Sequence, residues 1–176
     1  MKKIFALLLV VVLTFSLVAC GKNEPTETTA FKDYQTISYT DFNNFSTEKN
    51  YKVVENTDNS AVEFNRSFAA ISDYGFNCIY YELENKELSY AYFNKLVQAY
   101  ESFTADYASL IKYGNWGCYV LQDGYSIVYI SYVDNTLLYS MMFSNADNTE
   151  EAFSNMKTEI TEFIKFIDYP MIDFPA

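Results

Sequence analysis

The chain reads as a single α+β domain, a mainly antiparallel β-sheet with helices packed on one face. Three observations lead there. Residues 118–143 alternate β-rich runs with Asp-Gly and Asp-Asn turns, the pattern of a three-stranded meander. Leu88, Tyr92, Leu96, Tyr100, Phe103, Tyr107 and Leu110 fall in steps of three and four, the spacing of one buried helix face. Phe153, Met156, Ile160, Phe163, Ile164 and Ile167 repeat that spacing near the C-terminus.

Taken in order, the folded part begins near Tyr39. Thr40 is placed to cap a short helix, with Asp41 in its first turn, Phe42 and Phe45 on one face, and Lys49-Asn50 at its end. Tyr51 to Glu55 is a short strand, and Asn56 to Ser60 is a loop by composition. Residues 61–65 are helical or irregular. Ser67 to Ser72 forms a hairpin with Phe76 to Leu83 through Asp73-Tyr74-Gly75. A long helix is predicted from Leu88 to Ile111, stopped by Gly114 and Gly117, which bracket Trp116 in a loop. The meander follows: Cys118–Gln122, Tyr125–Val133 and Thr136–Phe143. Residues on both of its faces are apolar, so it is either covered on both sides or exposes tyrosines. A last helix, Thr149 to Ile167, is capped by Asp147 or Asn148 and ended by Asp168-Tyr169-Pro170. The predicted order is α–β–β–β–α–β–β–β–α.

Ahead of this domain stand two segments of different character. Lys2 and Lys3 precede an apolar run from Ile4 to Ala19, shorter than the roughly 20 residues that span a bilayer. That run ends in Leu17-Val18-Ala19-Cys20. The segment resembles a bacterial lipoprotein signal peptide with its lipobox. The resemblance implies transfer of a diacylglyceryl group to the Cys20 sulfur and cleavage after Ala19. Residues 1–19 are then the signal peptide and Cys20 the anchor on the outer face of the cytoplasmic membrane. Residues 20–38 are polar, with Pro25 and several threonines, and read as a flexible spacer; residues 39–176 form the extracytoplasmic domain. Together with the short N-terminal helix, the Phe76-Asn77-Cys78-Ile79-Tyr80-Tyr81-Glu82 strand and the Asp134-to-Tyr139 hairpin, the chain resembles small uncharacterised lipoproteins of Gram-positive bacteria. That resemblance implies location, not activity.

Composition narrows the chemistry. The 176-residue chain has a net charge of −11, and losing Lys2 and Lys3 with the signal would take it to −13. Such a surface repels nucleic acid and anionic lipid headgroups. With no histidine, His-dependent triads and imidazole metal sites are excluded. Arg66 is the single arginine, and five glycines supply no phosphate loop. No cofactor is implied. Asn145, Asp147, Thr149, Glu150 and Glu151 gather oxygens, but without the spacing and glycine of a calcium loop, and read as helix capping. Glu82, Glu84 and Glu87, with Lys86 among them, read as a solvated charge run rather than a carboxylate pair.

What the chain has in excess is aromatic: 17 tyrosines and 15 phenylalanines. These pack a sheet or line a binding surface. Trp116, Tyr80 and Tyr92 are the candidate ligand-binding residues, with Tyr81 and Tyr90 as supporting aromatics. Cys78 and Cys118 either form a disulfide, if their strands are adjacent, or are two separate buried thiols. The expected function is a membrane-anchored, non-enzymatic binding or interaction module, with a cell-wall glycan or an envelope protein as partner. The alternatives are an accessory subunit of a membrane transport or envelope complex and, less favoured, a small hydrolase.

Overall fold

The computed structural model describes residues 32–56, 64–72, 75–124, 126–143 and 150–175. The signal segment, Cys20, the Asn56–Ser60 loop beyond Asn56, and the cluster from Asn145 to Thr149 with its helix caps lie outside them.

Residues Tyr34–Ala176 form one compact unit. Its elements are α1 (Tyr39–Glu48), β1 (Lys52–Glu55), β2 (Arg66–Ile71), β3 (Asn77–Glu82), α2 (Lys86–Tyr100), β4 (Tyr107–Tyr113), β5 (Trp116–Gln122), β6 (Ser126–Val133), β7 (Thr136–Phe143) and α3 (Glu150–Phe166). All seven strands join one antiparallel sheet in the order β1-β2-β3-β7-β6-β5-β4. The α+β class with an antiparallel sheet is therefore as expected.

The layering differs from the expectation. Helices cover both faces rather than one. Because strand side chains alternate, Cys78, Tyr80, Cys118, Val120, Ile127, Tyr129 and Leu138 face one layer, packed against Phe42 of α1 and Ile160, Phe163 and Ile164 of α3. Tyr81, Tyr119, Leu121, Val128, Ile130, Tyr132 and Leu137 face the other, packed against Phe93, Val97 and Tyr100 of α2. Every residue of β6 is buried. A strand that is apolar on both faces needs cover on both, which resolves the meander's ambiguity.

Three boundaries move, each for a local reason. The unit starts at Tyr34, not Tyr39, because Ile37 is buried in the core and Tyr34 packs beside it. Ser38, not Thr40, caps α1: Ser38 Oγ accepts from the Asp41 amide at 3.2 Å, and the Asp41 carboxylate accepts from the Ser38 amide at 3.2 Å. The predicted long helix ends at Tyr100, and Tyr107–Tyr113 is a strand. The run Ser102-Phe103-Thr104 holds weak helix formers, and Gly114, at φ +49°, turns β4 back onto β5. Trp116 consequently opens β5 instead of lying in a loop.

Cys78 on β3 and Cys118 on β5 are separated in the sheet by β7 and β6. At about 4.8 Å per strand they stand far beyond disulfide reach. The bridge is excluded; both are buried free thiols, their pKa pushed up by burial, to about 12 for Cys118.

Buried tyrosine hydroxyls tie the chain ends to the sheet. Tyr80 donates to the Ile37 carbonyl at 3.1 Å, Tyr129 to the Pro170 carbonyl at 2.6 Å, and Tyr169 to the Thr136 carbonyl at 3.0 Å. Burial raises the pKa of all three, and burial with the neighbouring Tyr100 hydroxyl raises that of Tyr139. An unfolded tyrosine ionises near pH ~10. Above that pH the unfolded chain loses protons that the folded chain keeps, so stability present below pH ~10 falls as pH rises. In an alkaline titration, the phenolate absorbance of these four should appear together with loss of circular dichroism. Ionisation of the full set in a still-folded protein would contradict this burial.

Candidate functional site

The residues that converge on solvent do so at one end of the sheet, between the first turn of α2 and the β4–β5 hairpin. Asn85 starts α2, its side chain accepting from the Leu88 amide at 2.9 Å. The helix is held in place from below: Ser89 Oγ donates to the Thr136 carbonyl, and the Leu83 amide donates to the Asn135 carbonyl at 2.8 Å. The two hairpin tips are joined as well, the Asp134 amide donating to the Asn115 carbonyl at 2.8 Å. The rim is thus built on hydrogen-bonded elements.

Between these elements lies a groove of about 370 Å³, lined by Lys86, Glu87, Tyr90, Lys112, Tyr113, Gly114, Asn115 and Tyr132. Its volume falls within the range of small-ligand sites. Tyr132 forms the floor, edge-on to Tyr90 at 5.7 Å and tilted against Phe93 at 4.9 Å between ring centroids. Burial, with Tyr90 adding to it, pushes the Tyr132 hydroxyl up to about 12, so it is a neutral hydrogen-bonding group. Gly117 makes room for this ring: a Cβ there would sit 2.6 Å from Tyr132 Cε1.

Lys112 is held in position. Its Nζ donates to Asn94 Oδ1 at 2.6 Å and lies 5.6 Å and 5.8 Å from the ring centres of Tyr90 and Phe93. One of its three N–H donors is committed to Asn94; the ammonium brings positive charge to the groove. With Lys86 it outnumbers Glu87, giving local positive charge on an acidic chain. A second groove, between α3 and residues 173–175, has its lysines engaged: Lys157 donates to the Pro175 carbonyl and Lys165 pairs with Asp173.

Of the candidate binding residues, none of the three lines the groove. Tyr80 is fully buried and hydrogen-bonded to Ile37, which removes it as a ligand contact. Tyr92 is half-buried, edge-on to the buried Tyr81 at 5.4 Å. Trp116 is half-buried on the α1/α3 face, its ring 5.1 Å from Tyr34 and 5.9 Å from Tyr113, and it plugs the sheet end beside the groove. Tyr90 does line it. Lys86, Lys112, Tyr113, Asn115 and Tyr132 were missed; reading residues 107–111 as helix hid the hairpin that brings Lys112 and Tyr113 to α2. Glu84 and Glu87 are exposed and Glu82 half-buried, in keeping with a solvated run. Among the described residues, no cluster of three or more metal-binding side chains occurs, and no helix is long and apolar enough to cross a membrane.

The arrangement offers aromatic faces, fixed positive charge and neutral hydrogen-bonding groups, the means to hold a ring-bearing ligand with a negative group. In class, the protein is a sandwich of a seven-stranded antiparallel sheet between helical layers, with a shallow polar-aromatic groove at one end. No protein-family model and no curated protein matches the chain. Its fold is similar to that of a GTP-binding regulator from Thermotoga maritima, known from its crystal structure; the likeness covers 76% of this chain and 85% of that one, at 16% identity and a TM-score of 0.45. A likeness at that level is too distant to transfer a role.

The groove floor gives a direct test. Gly117→Ala forces Tyr132 aside, since the Ile111 carbonyl at 3.2 Å from the added carbon blocks relief on the other side. The expected cost is about 1–3 kcal/mol in denaturant unfolding, with altered Tyr132 and Tyr90 ring signals by NMR. Unchanged stability and unchanged ring signals would show that Tyr132 does not lie across Gly117.

Proposed function

We propose that the protein is a lipid-anchored extracytoplasmic binding module that holds its ligand in the groove between α2 and the β4–β5 hairpin. The observation that carries this reading is the convergence of Tyr90, Tyr113 and Tyr132 with Lys86 and Lys112 around one opening. Tyrosine faces suit sugar rings, and two ammonium groups suit a carboxylate or phosphate on them. The ligand class is therefore an acidic cell-wall glycan.

The location rests on Leu17-Val18-Ala19-Cys20 after a short apolar run. With two acyl chains on Cys20 the domain would be held firmly at the outer face of the cytoplasmic membrane. The module is non-enzymatic in this reading. The chain has no histidine, and burial keeps both thiols protonated, which denies them nucleophilic character.

Two measurements test the two halves separately. In membrane fractionation, Cys20→Ala should move the protein out of the membrane pellet or leave it as unprocessed precursor of higher mass. A processed variant that still pelleted would remove the anchor. In binding assays with soluble acidic wall-glycan fragments, Lys112→Ala should weaken binding about tenfold or more, the loss of one charge-assisted contact. Tyr90→Ala should weaken it several-fold. Equal binding by wild type and both variants would remove the groove as the site.

A further inference from the structure

We propose that β4 is a self-pairing edge, joining the sheet antiparallel to β4 of a second copy with Leu110 opposite Leu110. This goes beyond the ligand groove and does not depend on the lipid anchor.

The two edges of the sheet are unlike. β1 has four residues, begins and ends in Lys52 and Glu55, and has α1 packed beside it. β4 has seven, Tyr-Ala-Ser-Leu-Ile-Lys-Tyr, with no proline. It pairs with β5 on one side and ends the sheet on the other. Leu110 and Ile111 are 43% and 42% exposed, one on each face of the strand. Among the described residues no further strand pairs with this edge, and an edge of this length with apolar side chains is a template for another strand.

The sequence of the strand selects a second copy as the occupant. About a two-fold axis through Leu110, Tyr107 lies opposite Tyr113, Ala108 opposite Lys112, and Ser109 opposite Ile111. Aromatic faces aromatic, and no charge faces a like charge. Asp106, which immediately precedes the strand, becomes the diagonal neighbour of the partner copy's Lys112 on the same face; Lys112 keeps its bond to Asn94, so the two-fold repeats an attraction between opposite charges rather than a salt bridge. An acid before the strand and a base near its end are complementary only when two copies run antiparallel. Each copy is acidic overall, so this local attraction matters for bringing the edges together.

Single-cysteine crosslinking of the full chain in intact bacterial membranes tests the register. Opposite residues in an antiparallel ladder have Cα atoms about 4.5–5.5 Å apart, within disulfide range. Leu110→Cys should give a disulfide-linked band at twice the monomer mass on mild oxidation. Ser109→Cys, whose own copy lies diagonally about 7–8 Å away, should not. The chain without an added cysteine is the background: Cys78 and Cys118 are buried, and Cys20, lipidated or free, is present equally in it and in each variant. As a second readout, Leu110→Lys and Leu110→Glu should each be monomeric in native mass spectrometry, and their mixture should form a one-to-one heterodimer. No dimer from Leu110→Cys, equal dimer from Ser109→Cys, or a crosslink to a different protein would each overturn the self-pairing. If the anchor reading alone is wrong, the same crosslinks would appear in the soluble fraction.

Discussion

Strand β6 is buried along its whole length, and the rest of the architecture answers that constraint. A strand with Val128, Ile130 and Tyr132 on one side and Ile127, Tyr129 and Val133 on the other is stable only with apolar cover on both. α2 supplies one cover. The other is assembled from parts far apart in sequence: the Tyr34–Ile37 segment, α1, α3 and the tail from Tyr169 to Phe174. Tyrosine hydroxyls fasten these parts: Tyr80 and Tyr129 of the sheet donate to the Ile37 and Pro170 carbonyls, and Tyr169 of the tail donates to the Thr136 carbonyl of β7. The aromatic excess is thus mostly a consequence of building a two-sided core whose layers also need polar anchors.

The same constraint explains where the proposed binding groove falls. α2 lies over β6 and β7 and leaves the end of the β4–β5 hairpin uncovered beside its first turn. Side chains that cannot join either core gather there: Tyr90 and Tyr113, each more than two-fifths exposed, with Lys112 over the ring face of Tyr90. The groove is therefore the margin of a core, held by hairpin tips that bond each other, and β4 is the strand that the covers reach least, with Leu110 and Ile111 exposed.

Much of this was legible in the chain, and what was not has local causes. The hairpins at 67–83 and 118–143 followed from alternation and turn residues, and α3 from its apolar spacing. β4 was misread because Phe103, Tyr107 and Leu110 prolong the helical spacing of α2 by coincidence, while pairing with β5 decides the outcome. The second helical layer was visible only as apolar residues on both faces of the meander, a sign that fits exposure as well as cover. Trp116 stood out as a lone tryptophan between glycines, yet Gly117 serves packing: it admits the Tyr132 ring rather than loosening a loop. Lys86 and Lys112 carried no sequence signal at all; 26 residues apart, they meet only because β4 turns back beside α2. Tyr80 shows the reverse case, an aromatic candidate absorbed by the core.

The most direct measurement is hydrogen–deuterium exchange on the protein with and without acidic wall-glycan fragments. The account predicts slowed exchange confined to the first turn of α2, residues 86–90, and to the β4–β5 hairpin, residues 112–116, with β1 to β3 unchanged. Protection centred on α3 and the C-terminal tail, or no protection at saturating glycan, would contradict the groove as the working site of this protein.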